Sequence, residues 1–264
     1  MKKYLVIGNP IDHSLSPKLH NYWIKKNKID GIYEKKLFIE SDLEKIILKL
    51  NLGEIDGINV TLPFKNSIIP YIDELSIEAK KTQSVNTIYS KDNKIIGHNT
   101  DIAGFELGLR YFKYNVSGKK VFILGAGGVV PSIIFALKKI GASHITLSNR
   151  TRSKAENIKK IFPKIEIIDW GETTESHMII NATSIGLKSD DEIKINYNDF
   201  GKNKFFYDVI YNPKKTNFLK KAKELGNKIE NGKMMFIYQA HQAFAIWHKI
   251  FPEIDIETIK LLDD

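Results

Sequence analysis

The stretch "GKKVFILGAGGVVPSIIFALKKIGASHITLSNRT", residues 118–151, restricts the possible folds more than any other part of the chain. An apolar run, a glycine cluster, a helical run and a second apolar run follow one another without a gap. A helix between two strands is the crossover that joins parallel neighbours, because a tight hairpin can join only antiparallel ones. Gly125, Gly127 and Gly128 would let the backbone approach a phosphate. The N-terminus of the following helix would add N–H groups and the positive end of its dipole. Taken alone, the glycines are equally an ordinary strand-to-helix turn. Val130 occupies the third fingerprint position, where Gly or Ala is usual, and Pro131 is tolerated only in the first turn of the helix.

The next strand sharpens the reading. A dinucleotide with a free ribose 2′-hydroxyl usually meets an Asp or Glu about 20 residues after the glycines. Here the segment is "ITLSNRTRSK", which contains no acid and offers Asn149, Arg150, Thr151 and Lys154. A guanidinium suits a 2′-phosphate where a carboxylate would repel it. The segment therefore favours NADP over NAD.

Strand and helix patterns alternate elsewhere too, which predicts an α/β fold with a largely parallel sheet. Residues 2–8 read as a buried strand, and a helix runs from Ser16-Pro17 to about residue 28. "YEKKLFI" reads as a second strand and "IDGINVTLP" as a third. Between them "SDLEKIILKLNLG" reads as an amphipathic helix with Ser41 as N-cap and Gly53 as stop. Ser16 before Pro17 also has the form of an N-cap. A second unit begins near Asp101, with further strands in "MIINATSIG" and "KFFYDVIY". The last helix, roughly 234–250, is apolar almost all round and is expected to be buried.

The chain of 264 residues has no cysteine, which excludes disulfides and thiolate metal sites. No apolar run is long enough to span a bilayer, and the first ten residues lack a signal-peptide core. A soluble, cytoplasmic protein is expected. The net charge of +9 comes from scattered lysine pairs, with no long basic block and no nucleic-acid motif. The charge reads as coding bias that also favours anionic small ligands, so neither a nucleic-acid nor a membrane partner is expected.

Three polar constellations precede the glycines: "HSLSP" with Ser14 and Ser16, "GINVTLPFK" with Asn59, Thr61 and Lys65, and "SVNTIYSKDNKIIGHNTD" with Asn86, Thr87, Asn99 and Asp101. Each follows an apolar stretch, where open α/β sheets place ligands. Singly, each has a plain structural alternative: a cap, a turn former, one lysine among 40 basic residues. No His pair has the spacing of a metal site, so no metal is expected.

In this order the motifs resemble the shikimate dehydrogenase family across nearly the whole chain. "GNPIDHSLSPKLHN" resembles its opening signature, "GINVTLPFK" its lysine motif, and "SVNT" with "GHNTD" its Asn and Asp segments. "GAGG", "NRT" and "NATSIG" resemble its cofactor segments. "DVIYNPKKTNFL" and "NGKMMFIYQAHQAFAIW" resemble its closing signatures. The resemblance implies two α/β domains with a cleft between them. Residues 1–100 plus 233–264 would bind substrate on a mostly parallel sheet, and 101–232 would form a Rossmann-type NADP domain. The last helix would cross from one to the other. The implied reaction is the reversible NADPH-dependent reduction of 3-dehydroshikimate to shikimate in aromatic amino-acid biosynthesis, by a monomer or homodimer.

The resemblance further implies Lys65 and Asp101 as the catalytic pair. Ser14, Ser16, Thr61, Asn86, Tyr211 and Gln239 would line the substrate. Gly125, Ala126, Gly127, Gly128, Val129, Asn149, Arg150, Thr151, Lys154, Val209 and Gly232 would meet NADP. Lys154 stands where the family often carries Arg, which keeps the charge but loses bidentate pairing and softens the NADP preference. A quinate/shikimate dehydrogenase that also accepts NAD is the nearest alternative. A glutamyl-tRNA reductase, which shares the cradle, would need a nucleophilic cysteine that this chain lacks.

Overall fold

The apolar run after Met1 forms β1 (Lys2–Gly8), and its last five residues are buried. It leads through a loop into α1 (Ser16–Lys26), followed by β2 (Gly31–Leu37), α2 (Leu43–Asn51), β3 (Gly57–Val60), β4 (Glu74–Leu75) and α3 (Ile77–Thr82). A hairpin of β5 (Thr87–Lys91) and β6 (Lys94–His98) then runs into α4 (Asp101–Tyr111). This is a computed structural model, and it describes residues 1–263. The chain divides into two units: Met1–Gly104 with everything from Ile237 onward, and Phe105–Phe236.

The sheet of the first unit has the order β2-β1-β3-β5-β6-β4. β1 lies parallel to both β2 and β3, whereas β5 runs antiparallel to β3 and β6. The sheet is therefore mixed. The hairpin follows from Asp92 and Asn93, both at positive φ, which is the two-residue turn that matches strand twist. Under one face, Ile7, Leu43, Ile46, Leu50, Ile58, Phe64, Val85 and Ile88 form the core.

The helix starts differ from the two capping expectations. α1 begins at Ser16, its N-cap position is Leu15, and no side chain caps it. Instead Ser14 Oγ accepts from the Ser16 N–H at 3.4 Å. Leu15 already has near-helical dihedrals, so the helix starts one residue early and Ser16 faces inward, buried. Ser41 lies within a short 3₁₀ turn, Glu40–Asp42, which takes up the first turn before α2.

The second unit is regular. It contains β7 (Lys120–Leu124), α5 (Val130–Lys139), β8 (His144–Ser148), α6 (Arg152–Ile161), β9 (Glu166–Ile168), β10 (Met178–Asn181), β11 (Phe205–Asp208), α7 (Asn217–Glu224) and β12 (Lys228–Asn231). The sheet is all parallel, in the doubly wound order β12-β11-β10-β7-β8-β9. Pro131 sits in the first turn of α5, as its ring requires. The chain ends with α8 (Lys233–His248) and α9 (Ile256–Lys260). No residue of α8 is exposed.

An aromatic cluster joins α8 to the opposite sheet face of the first unit. His20 stacks flat on Tyr33, with ring centroids 4.2 Å apart, and lies edge to face with Trp23. Both of its ring nitrogens are buried without a hydrogen-bond partner. Burial, with a smaller contribution from His248, pushes its pKa down to about 3. Burial likewise pushes His248 down to about 4. A base whose pKa drops on folding binds fewer protons folded than unfolded, so stability is lost as pH falls below the unfolded value of 6.5. From pH 6.5 to 5, His20 alone should cost about 2 kcal/mol. The melting temperature read by tryptophan fluorescence should drop across that interval in the wild type, and drop less in His20→Phe. Equal drops in the two proteins would refute this assignment.

Candidate active site

The loops after β1 and β3 meet at the carboxyl end of the first sheet. Asn9 N–H donates to the Leu62 carbonyl, and Thr61 N–H donates to Ile7, both at 2.9 Å. The β3 loop turns tightly, with Phe64 N–H on the Thr61 carbonyl at 2.9 Å. It is tied to the chain before β5 by Val85 N–H on the Lys65 carbonyl at 2.8 Å. The parallel strand ends and these three ties bring the "HSLSP", "TLPFK" and "SVNT" segments together.

Lys65 Nζ lies 2.5 Å from Asp101 Oδ2, and the two side chains are only 13% and 7% exposed. Asp101 is the first residue of α4, where a carboxylate is favoured by the helix dipole. Its other oxygen, Oδ1, accepts from Asn86 Nδ2 at 2.9 Å. Asn99 Oδ1 accepts from the Asp101 N–H at 3.1 Å, which holds the start of the helix. A buried pair of this kind is costly to break by removing one partner, because the other is left as an uncompensated charge. It is also a proton donor held in a fixed direction.

Of the remaining sequence-derived substrate candidates, Thr61 lies on the lysine turn, and Ser14 and Ser16 lie at the start of α1. Among the described residues, no hydrogen bond joins either serine to Lys65 or Asp101. Gln239 is half-buried on α8. In the second unit, Tyr211 stacks on Phe236 with centroids 4.4 Å apart. In the sequence Asn59 and Thr87 stand out only as members of the polar constellations, Thr100 is a polar letter within a motif, and Tyr33 carries no signal at all. The structure makes all four buried neighbours, or near neighbours, of Asn86.

The glycine turn of the second unit lies between β7 and α5. Gly125 has φ +110°, and a Cβ there would sit 2.8 Å from the Ala182 carbonyl carbon and oxygen. Gly127 and Gly128 are exposed, and a Cβ at Gly127 would meet the protein only at 3.8 Å, on Ala182 O. Nothing inside the unit forces a glycine at 127. The space it leaves faces outward, which fits the close approach of a phosphate group. Val129 stands at the N-cap of α5 and makes no side-chain capping bond; the Val130 N–H donates to the Gly127 carbonyl at 3.0 Å, and Pro131 has no N–H to place. Asn149 Oδ1 accepts from Ala126 N–H at 3.0 Å, and its Nδ2 donates to the Thr151 carbonyl at 2.8 Å. One side chain thus latches the glycine turn to the end of β8.

Beyond that latch, Arg150 and Lys154 are exposed and have no carboxylate partner among the described residues. Arg152 differs, because it pairs with Asp169 and Glu156. The two unpaired cations fit a 2′-phosphate. Gly232 presses on the Val209 carbonyl so closely that a Cβ could not be accommodated. Next to Val209, Asp208 is buried and accepts from Asn181 Nδ2, Ile210 N–H and Thr216 Oγ1. Burial pushes its pKa up to about 6, against the pull of these donors. It orders the loops after β10 and β11.

Among the described residues, no cluster of His, Asp or Glu has the arrangement of a metal site, and no helix is long and apolar enough to cross a membrane. Two family models match the chain. One is described as the shikimate dehydrogenase substrate binding domain, over residues 6–88. The other is described as shikimate / quinate 5-dehydrogenase, over residues 106–189. A curated relative from Pelagibacter ubique, a shikimate dehydrogenase (NADP(+)), is 65% identical over 99% of both chains. Among solved structures, the shikimate dehydrogenase of Aquifex aeolicus superposes with TM-score 0.88 at 34% identity, over 100% of this chain and 96% of that one. The Thermus thermophilus shikimate 5-dehydrogenase, in complex with NADP(H) and shikimate, superposes with TM-score 0.90 at 27% identity, over 100% and 99%.

Proposed function

This chain belongs to the shikimate dehydrogenase family and catalyses the reversible, NADP-dependent interconversion of shikimate and 3-dehydroshikimate, and we propose that Lys65 and Asp101 carry its proton. The observation behind this assignment is the buried 2.5 Å contact between the Lys65 ammonium and Asp101. Bound NADPH supplies the hydride that the ketone carbon needs. The Lys65 ammonium gives a proton to the ketone oxygen as it becomes an alcohol, and takes it back in the reverse direction. Asp101 holds the ammonium in place through Oδ2, while Asn86 holds Asp101 through Oδ1.

Substrate binding falls to Ser14, Ser16, Thr61, Asn86, Tyr211 and Gln239. The hydroxyls of Ser14 and Ser16 lie at the N-terminus of α1, where an anion such as the substrate carboxylate is favoured. The cofactor is held by the glycine turn from Gly125 to Gly128 with Val129, by Asn149 and Thr151, by Val209 and Gly232, and by the cations Arg150 and Lys154. Arg150 takes the 2′-phosphate, with Lys154 as the weaker second charge. The working compartment we propose is the cytoplasm and the working unit a monomer or homodimer, the latter read by light scattering.

The test is cofactor selectivity. Arg150→Ala should lower kcat/KM for NADP by about 10- to 10²-fold, the worth of one charge-assisted hydrogen bond. The value for NAD should not move. Quinate serves as the control substrate. Wild-type kcat/KM for NADP in Arg150→Ala would remove Arg150 from the site. Turnover of quinate at the rate of shikimate would move the chain to the broader quinate/shikimate reading.

A further inference from the structure

We propose that Tyr33, Asn59 and Thr87 form a positioning relay that sets the orientation of the Asn86 carboxamide and, through it, of the Lys65–Asp101 pair. The proposal rests on the reading of Lys65 and Asp101 as the acid–base pair. The relay crosses the sheet of the first unit from its edge. Tyr33 on β2 reaches over β1, and its hydroxyl donates to Asn59 Oδ1 on β3 at 2.7 Å. Asn59 Nδ2 donates to Thr87 Oγ1 at 3.1 Å and to the Asn86 carbonyl at 3.0 Å. Thr87 Oγ1 donates to Asn86 Oδ1 at 3.0 Å. Asn86 Nδ2 donates to Asp101 Oδ1.

Each link fixes the direction of the next. The Tyr33 hydroxyl aims its proton at the Asn59 side chain, so the Asn59 oxygen faces Tyr33 and its NH₂ faces Thr87. Thr87 Oγ1 then accepts a hydrogen bond from Asn59 Nδ2 and donates its own hydrogen to Asn86 Oδ1 at 3.0 Å, a closer partner than Thr100 Oγ1 at 3.4 Å. The backbone N–H of Thr100 points to the same oxygen at 2.8 Å. With its oxygen occupied in this way, the Asn86 amide can present only NH₂ to the Asp101 carboxylate. The reverse orientation would set oxygen against oxygen beside a buried negative charge. Tyr33, Asn59, Asn86, Thr87 and Thr100 are all buried, so water does not substitute freely for a lost link. The flat stack of His20 on Tyr33 holds the first member.

The relay makes a graded prediction. Thr87→Val keeps shape and burial but removes the donor to Asn86 Oδ1. It should lower kcat/KM for shikimate by about 10- to 10²-fold, as small misplacements of reacting groups do. Thr87→Ser restores the hydroxyl and should restore the rate. Tyr33→Phe removes one hydroxyl two links away and should give a smaller loss, about threefold to tenfold. The solvent deuterium isotope effect on kcat/KM should rise above wild type in Thr87→Val, because proton transfer is slowed. Partial unfolding lowers the concentration of active enzyme without changing an isotope effect, so this readout separates positioning from folding.

Wild-type kinetics in Thr87→Val, or a rate loss with an unchanged isotope effect and no rescue by Ser, overturns the relay. If Thr87→Val does not fold, Tyr33→Phe decides by the same two readouts. Lys65→Ala is assayed alongside. If it keeps full turnover, the acid–base reading itself has failed and the relay falls with it. If it is inactive while the relay variants behave as wild type, only the relay has failed.

Discussion

Lys65→Ala is expected to lower kcat for shikimate oxidation by about 10²- to 10⁴-fold, the usual worth of a positioned proton-transfer group. Binding of NADP should be unchanged, because every proposed cofactor residue lies in the second unit and Lys65 in the first. The substitution removes the ammonium from a pair whose side chains are 13% and 7% exposed. Asp101 then remains as a buried carboxylate with Asn86 as its remaining side-chain donor. Breaking a buried pair in this way costs about 3–5 kcal/mol, so the first unit should also melt earlier. The two effects are separable, because turnover is expressed per NADP-binding site and read well below the melting temperature. Wild-type turnover on that basis would exclude Lys65 as the proton carrier.

Gly125→Ala should have the second-largest effect, and in the other unit. Gly125 has φ +110°, which an L-residue rarely adopts, and the new methyl would lie 2.8 Å from the Ala182 backbone. The loop after β7 must then move, or the β10 end beside it must move. We expect the second unit to lose about 2–4 kcal/mol of stability. A displaced turn no longer offers the same N–H groups to a phosphate, and NADP affinity should fall about 10²-fold, equivalent to about 3 kcal/mol. Gly118 provides the control, since it has φ +73° but nothing within 4 Å of where a methyl would stand. Gly118→Ala therefore tests backbone strain without the clash, and should leave NADP affinity at its wild-type value. Calorimetric titration of NADP into each variant gives the comparison. Equal affinities in Gly125→Ala and wild type would mean that the glycine turn does not hold the cofactor.

What the amino-acid sequence discloses divides along a physical line. The β7-turn-α5-β8 unit is legible because its signals are local: an apolar run, glycines, then a helical period. The acid-free end of β8 is legible for the same reason. Helix starts are less so. Ser16 and Ser41 look like caps in isolation, but a near-helical Leu15 and a 3₁₀ turn at Glu40–Asp42 shift the true starts. The β5–β6 hairpin carries its turn signal in Asp92-Asn93, which the polar residues of the surrounding segment mask.

The proposed site shows the same division. Lys65 and Asp101 are 36 positions apart, and no periodicity links them. Only the family's motifs pair them, and the fold then puts their charges 2.5 Å apart. Tyr33 and Asn59 lie on strands separated by β1, so their hydrogen bond depends on strand order, which no local pattern contains. Asp208 is similar. It lies in an apolar strand as one acidic residue, and although Ile210 and Thr216 donate from the loop that follows it, the third donor, Asn181, stands 27 positions earlier on β10.

Absorbance at 340 nm, followed when purified protein is given shikimate and NADP, reads the reaction itself. Shikimate-dependent formation of NADPH is expected, much slower with NAD, and about 10²- to 10⁴-fold slower in Lys65→Ala. Absence of NADPH formation by the wild-type protein with shikimate would contradict both the activity and the roles given to Lys65 and Asp101.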